Sequence, residues 1–115
     1  MTAADALRTF ITDLLPGWRV QFGRWRDDGG AHKYAVVKPV GGLPAELVRR
    51  PEFTLSLVGQ ANADADQVTA AGESVIEAMR SSSGALVFMQ PGEPVFLATS
   101  DGRPLLEIAI SAITN

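Results

Sequence analysis

The sequence predicts an α+β fold, with helices packed on one face of a mainly antiparallel β-sheet. Two stretches, residues 5–15 and 64–79, carry apolar residues at spacings of three and four, which is the period of an amphipathic helix. Elsewhere, short segments bounded by glycine and proline alternate apolar with polar residues, as half-buried strands do. Because only one helix lies between strands, the repeated strand–helix–strand order of a parallel α/β sheet is absent.

The first helix is predicted near the N-terminus. Thr2 or Asp5 caps it, and its apolar face consists of Leu7, Phe10, Ile11, Leu14 and Leu15. Pro16 and Gly17 end it. A helix this short is stable only against another surface, so we expect its apolar face to contact the rest of the fold.

The next two segments are predicted to form a β-hairpin. The first strand covers residues 18–25, in which three apolar side chains share a face: Trp18, Val20 and Phe22. The second covers residues 34–40 and is rich in β-branched residues. The Asp-Asp-Gly-Gly segment at 27–30 is a strong turn signal between them. Pro39 indicates a sheet edge or the end of the strand.

A loop at residues 41–51 leads into a third strand at 52–58. A second helix follows, capped by Asn62, Asp64 or Asp66. Its apolar stripe consists of Val68, Ala71, Val75, Ile76 and Met79. Gly72 lies on the same stripe, where it permits close packing against the sheet.

The last third of the chain alternates short apolar runs with turns. Residues 86–89 form one such run, and strands are predicted at 95–98 and 105–113. The Ser-Asp-Gly-Arg-Pro segment at 100–104 is the turn that joins these two strands.

Composition restricts the function classes. The 115 residues fit a single domain, 1–115, with one core. The net charge of -3 argues against a dedicated nucleic-acid-binding protein. The absence of cysteine excludes thiolate nucleophiles and disulfides. We expect no signal peptide or membrane span, because the N-terminal apolar residues are interrupted by charges.

Residues suited to catalysis or metal binding occur singly rather than in sets. His32 is the only histidine, so neither a Cys-His dyad nor a zinc site is expected. The acidic pair at 27–28 fits a turn, and Asp64 and Asp66 fit helix capping better than a calcium loop. The serines at 81–83 lack a nucleophile-elbow pattern. We therefore predict that the chain is not an enzyme and that it carries no cofactor or metal.

A local excess of basic residues is formed by Arg24, Arg26, Lys33, Arg49 and Arg50. It is too small to indicate nucleic-acid binding in an acidic chain, so subunit contact is the more ordinary interpretation. Trp18 and Trp25 are of a type that more often fills a core or an interface than stacks on a ligand.

The chain resembles the small tail-terminator or minor tail proteins of long-tailed phages and prophages. The likeness consists of the element order, the Arg-Arg-Pro entry at 49–51 into the third strand, and the Asp-Gly-Arg-Pro turn at 101–104. The Leu-Leu-Pro-Gly segment at 14–17 is also similar.

The resemblance implies a structural subunit that forms a homo-oligomeric ring, typically a hexamer. Such a ring caps the tail tube, ends its elongation and provides the surface that joins the head. The implied partners are further copies of the chain, the tail tube protein and a head-completion protein, with no membrane and no specific nucleic acid. The implied location is the host cytoplasm during assembly and the virion tail afterwards. Arg49 and Arg50 are the predicted subunit or tube contacts.

Two alternatives stay open at the level of sequence. The chain is also compatible with another phage head–tail joining or tube protein, because a fold does not fix a function. A small-ligand-binding regulatory domain is the other alternative, and it requires Trp18 and Trp25 near a cleft.

Overall fold

The computed structural model describes residues 3–23, 25–26, 32–43, 50–60, 63–81, 87–99 and 103–114. The elements in these ranges are α1 (Ala3–Leu14), β1 (Arg19–Phe22), β2 (Tyr34–Leu43), β3 (Arg50–Val58), α2 (Ala65–Ser81), β4 (Val87–Pro91), β5 (Val95–Ala98) and β6 (Pro104–Thr114).

The six strands form one sheet in the order β1-β2-β3-β6-β4, and β5 also pairs with β6. β3 occupies one side of β6, so β4 and β5 share the other side, one after the other along its length. Every pairing is antiparallel except that of β1 with β2. The predicted class, α+β with a mainly antiparallel sheet, is confirmed.

Both helices cover the same face of the sheet. The core between them and the sheet contains buried residues of α1, α2, β2, β3 and β6, among them Leu7, Ile11, Val37, Leu55, Leu57, Val68, Val75, Ile108 and Ile110. Within this layer α1 lies beside β1 and β2, whereas α2 lies over β6 and β4. Each helix therefore flanks a different end of the sheet.

The predicted helices are confirmed, with small shifts at their ends. α1 buries the predicted face, and Gly17 adopts a φ of 88° in the turn that follows. At the start of α2, an oxygen of Asp64 accepts a hydrogen bond of 2.9 Å from the Asp66 amide, which is a cap of the kind predicted. Gly72 is buried against Leu106. A Cβ at this position would clash with a methyl group of that leucine, so the predicted close packing is confirmed.

The predicted hairpin of the first two strands is wrong. β1 and β2 run parallel, with Arg19 opposite Tyr34 and Phe22 opposite Val37. The connection from 23 to 33 approaches the dozen residues that a parallel crossover needs, so it can return the chain to the same end of the sheet. Its Trp25 packs edge-on against Tyr34 on the face opposite the helices. Burial of that ring favours the crossover over a tight turn.

The predicted loop at 41–51 is also wrong at both ends. β2 continues to Leu43 and β3 begins at Arg50, and these two residues pair with each other. The ladder shifts register between Pro39 and Gly41. β1 has already ended beside Val37, so Pro39 lies at a local edge where its missing N–H costs no ladder bond. The strand does not end there, because pairing with β3 carries it onward.

Candidate assembly surfaces

The two ends of the sheet differ in chemistry. β1 forms one end, and β4 with β5 forms the other. Within the described ranges no further strand pairs with either outer edge. Unpaired backbone N–H and C=O groups at a sheet edge are a template for another chain, so each end is a candidate contact surface.

β5 exposes three consecutive large apolar side chains. Val95 is 54% exposed, Phe96 51% and Leu97 40%. Phe96 lies opposite Leu106, on the helix-covered face, yet α2 does not extend over it. Val95 and Leu97 lie on the other face, opposite Glu107 and Leu105, so exposed apolar side chains border this open edge on both faces of the sheet. Exposed apolar surface beside an open edge is a candidate interaction site.

A groove beside β5 is predominantly acidic. It lies between the outer face of α2 and the Gly-Glu-Pro link at 92–94, which connects β4 to β5. Three carboxylates, from Glu73, Glu77 and Glu93, line it together with one cation, Arg80. The amide of Gly92 donates a hydrogen bond of 2.7 Å to the Ala109 carbonyl, which holds the link against β6.

The β1 end carries basic residues around an exposed aromatic ring. Phe22 is 40% exposed, and the Arg8 guanidinium on α1 lies 5.7 Å from its ring centre. Arg19 is exposed on β1 itself. Lys33 lies 5.2 Å from the ring centre of Trp18, so a third cation flanks the same end. Asp5 and Asp13 on α1 offset part of this charge.

Arg103 is buried on the face opposite the helices. Its side chain is 1% exposed, and it donates hydrogen bonds to the carbonyl oxygens of Gly59, at 2.9 Å, and His32, at 2.7 Å. Its guanidinium lies 5.3 Å from the ring centre of Trp25 and 5.7 Å from that of Tyr34. Arg103 therefore fastens the β1–β2 connection to the ends of β3 and β6.

The structure does not describe the side chains of the two predicted contact residues. Arg49 lies outside the described residues. Arg50 opens β3 opposite Leu43, and its side chain also lies outside what the structure describes. Their role as subunit or tube contacts stays a prediction.

The other residues singled out from the sequence are dispersed. Trp18 packs on the helix-side core and Trp25 on the opposite face, so the two rings do not line one cleft. His32 is half-buried and accepts the Arg103 hydrogen bond through its backbone oxygen. The acidic pair at 27–28 and the serines at 82–83 lie outside the described residues. Among the side chains that are described, no three of His, Asp and Glu gather as a metal site.

Two features were not predicted from the sequence: the exposure of β5 and the burial of Arg103. The sequence pattern predicted strand 95–98 with correct bounds but not its exposure, and it assigned Arg103 only to a turn. Three apolar residues in a row signal burial on both faces of a strand, which is the opposite of what β5 shows. The sequence feature that could have indicated this exposure is the short length of the strand between Pro94 and the 100–104 turn.

A sheet with two open and chemically different ends offers surfaces for contact with other protein chains, as in proteins of structural assemblies. Comparison with known families agrees. The family described as phage tail termination protein matches residues 1–115, and the chain belongs to that structural family. Comparison with curated protein sequences found no match. None of the helices in the described ranges is long and apolar enough to cross a membrane.

Proposed function

We propose that this chain forms a closed ring, six subunits in number, that caps the tail tube, ends its elongation and presents the surface on which the head docks. The family match over residues 1–115 carries the proposal, because it makes the chain a tail termination protein. The two unlike ends of the sheet support a ring, since head-to-tail contacts between different surfaces close into a cycle when the rotation between subunits permits.

In this proposal the partners are further copies of the chain, the tail tube protein on one face and a head-completion protein on the other. Assembly takes place in the host cytoplasm, and the finished ring stays in the virion tail. The role needs no catalytic step, no cofactor, no membrane and no specific nucleic acid.

Loss of this chain from its own phage or prophage tests the capping role. Tails made without it are expected to be overlong, variable in length and headless in electron micrographs, because nothing stops tube growth. Supplying the chain in trans restores uniform length. Tails of normal length that still lack heads would refute termination and favour a head–tail joining role instead.

Arg49 and Arg50 belong to the proposal as subunit or tube contacts. The charge reversals Arg49→Glu and Arg50→Glu, made together, are expected to weaken ring or tube binding without unfolding the domain. Reversal of an exposed lysine on β2, Lys38→Glu, is the control. Sedimentation with purified tubes, together with native mass spectrometry of the chain alone, separates the two kinds of contact. Unchanged binding in both assays rejects these arginines but leaves the ring intact.

A further inference from the structure

We infer that the β5 end of one subunit binds the β1 end of a second copy, with β5 adding to the open edge of β1 and the acidic groove receiving Arg8. This inference rests on the proposed ring and names the surfaces that close it. Three independent properties of the two ends support it: strand length, the position of the helices, and charge.

The two strands match in length and exposure. β1 and β5 are each four residues long, and each is the outermost strand at its end. Phe96 on β5 and Phe22 on β1 are both large, apolar and exposed. Edge-to-edge pairing would satisfy the open backbone groups of both strands and bury both aromatic rings.

The helix layer fits the same arrangement. α1 flanks β1 and α2 lies at the β4 and β5 end, both on one face of the sheet. When the sheets of two copies continue into one another with the same face covered, α1 of one copy lies beside α2 of the next. Arg8 then faces the groove that carries Glu73 and Glu77.

Charge favours a second copy rather than an unrelated apolar partner. The acidic groove holds three carboxylates and one arginine, a local charge of −2. Among the described side chains, the β1 end holds Arg8 and Lys33 beside the helix layer and Arg19 on the other face, against Asp5 and Asp13, a local charge of +1. Opposite charges at the two ends favour head-to-tail pairing, and like charges disfavour pairing of two identical ends.

Reciprocal charge reversal tests the inference. One variant carries Glu73→Arg and Glu77→Arg; the other carries Arg8→Glu. Each alone is expected to raise the concentration at which oligomers form by about tenfold or more, because like charges then meet at every contact. An equimolar mixture is expected to recover assembly as oligomers that alternate the two variants, since each reversed end meets its complement. Native mass spectrometry resolves such mixed oligomers by mass.

An apolar substitution provides the second test. Phe96→Lys is expected to abolish oligomers while leaving the fold intact, since this side chain is half exposed. Val40→Lys is the matched control, because Val40 is 55% exposed and lies on β2, outside both strands. Circular dichroism and the melting temperature of each variant confirm that it folds.

The outcomes separate this inference from the proposed function. Assembly of every variant at the wild-type concentration overturns the β5–β1 contact and leaves the ring to other surfaces. A wild-type chain that is monomeric from micromolar to millimolar concentration also overturns the contact. Neither result bears on tail length in the deletion strain, which reports on capping alone. Tails of normal length in the deletion strain would by themselves remove the tail-capping role.

Discussion

Arg103 holds the connection between β1 and β2 against the ends of β3 and β6. A guanidinium buried to 1% exposure needs several partners, and it has two carbonyl oxygens and two aromatic faces. Arginine suits this position because its planar group donates in fixed directions while stacking on rings. The parallel approach of β1 to β2 depends on the connection that this side chain fastens.

Replacement of Arg103 by alanine is expected to lower the free energy of unfolding by about 2–3 kcal/mol, because buried carbonyl groups lose their donor. Arg103→Lys is expected to recover little of this loss, since one ammonium cannot reproduce both the hydrogen bonds and the stacking. Urea unfolding measures the effect. Arg80→Ala, at an exposed arginine, is the control and is expected to change stability by about 0.5 kcal/mol or less. An Arg103→Ala protein as stable as the control would contradict this role.

At the scale of elements, the contact between α2 and β6 is set by a missing side chain. Gly72 lies in the buried stripe of α2, and the Leu106 side chain of β6 fills the space where its Cβ would stand. Glycine within a helix costs about 1 kcal/mol relative to alanine. The structure tolerates that cost because the helix thereby approaches the sheet closely.

Gly72→Ala is therefore expected to destabilise the protein by about 1 kcal/mol, because the cost of displacing Leu106 exceeds the gain in helix propensity. In a Leu106→Ala background the same change is expected to stabilise by up to about 1 kcal/mol, since the gain is then unopposed. A double-mutant cycle in urea measures the coupling. Ser74→Ala, on the exposed face of α2, is the control: it changes helix propensity without changing a contact with the sheet. If Gly72→Ala stabilised the protein in both backgrounds, α2 would not be packed tightly against β6 at this position.

β5 is more exposed to solvent than its apolar sequence predicts. Its apolar residues would be buried in most sheets, but α2 covers β6 and β4 and leaves β5 open. The Gly-Glu-Pro link at 92–94 contributes, because it splits this edge into two short strands, of which β4 packs against α2.

In the molecule as a whole, a main core between the helices and the sheet and a smaller cluster on the other face are combined with two open ends. We propose that residues 1–115 form a single domain, as the length of the chain predicts. A larger sheet would bury these edges internally. In the ring that we propose, neighbouring subunits would cover these edges, and closure would remove both from solvent at once.

The Phe96→Lys protein is expected to unfold in one cooperative transition at a Tm that does not depend on protein concentration. The wild-type Tm is expected to rise with concentration, because association stabilises only the folded state. Differential scanning calorimetry over a range of concentrations measures both. Two separate transitions in the monomeric variant would refute the single domain, and a constant wild-type Tm would count against association.

The candidate site was predictable only in part. Sequence pattern located strand 95–98, and the resemblance pointed to the phage tail terminators, a family to which the chain does belong. The exposure of Phe96 and the burial of Arg103 were not predictable, because each depends on which element lies opposite. Arg49 and Arg50 were chosen from local charge alone, and they stay a prediction.

The order of side chains along the chain was enough to predict the helices, most strand positions and the α+β class, because helical and strand periodicities are local properties. The parallel pairing of β1 with β2, the burial of Arg103 and the open edge of β5 follow instead from how the elements pack together. These outcomes depend on contacts between residues far apart in the chain, such as Arg103 with Gly59 and His32. Local sequence patterns do not predict such contacts, since the same turn or apolar run is compatible with several packing partners.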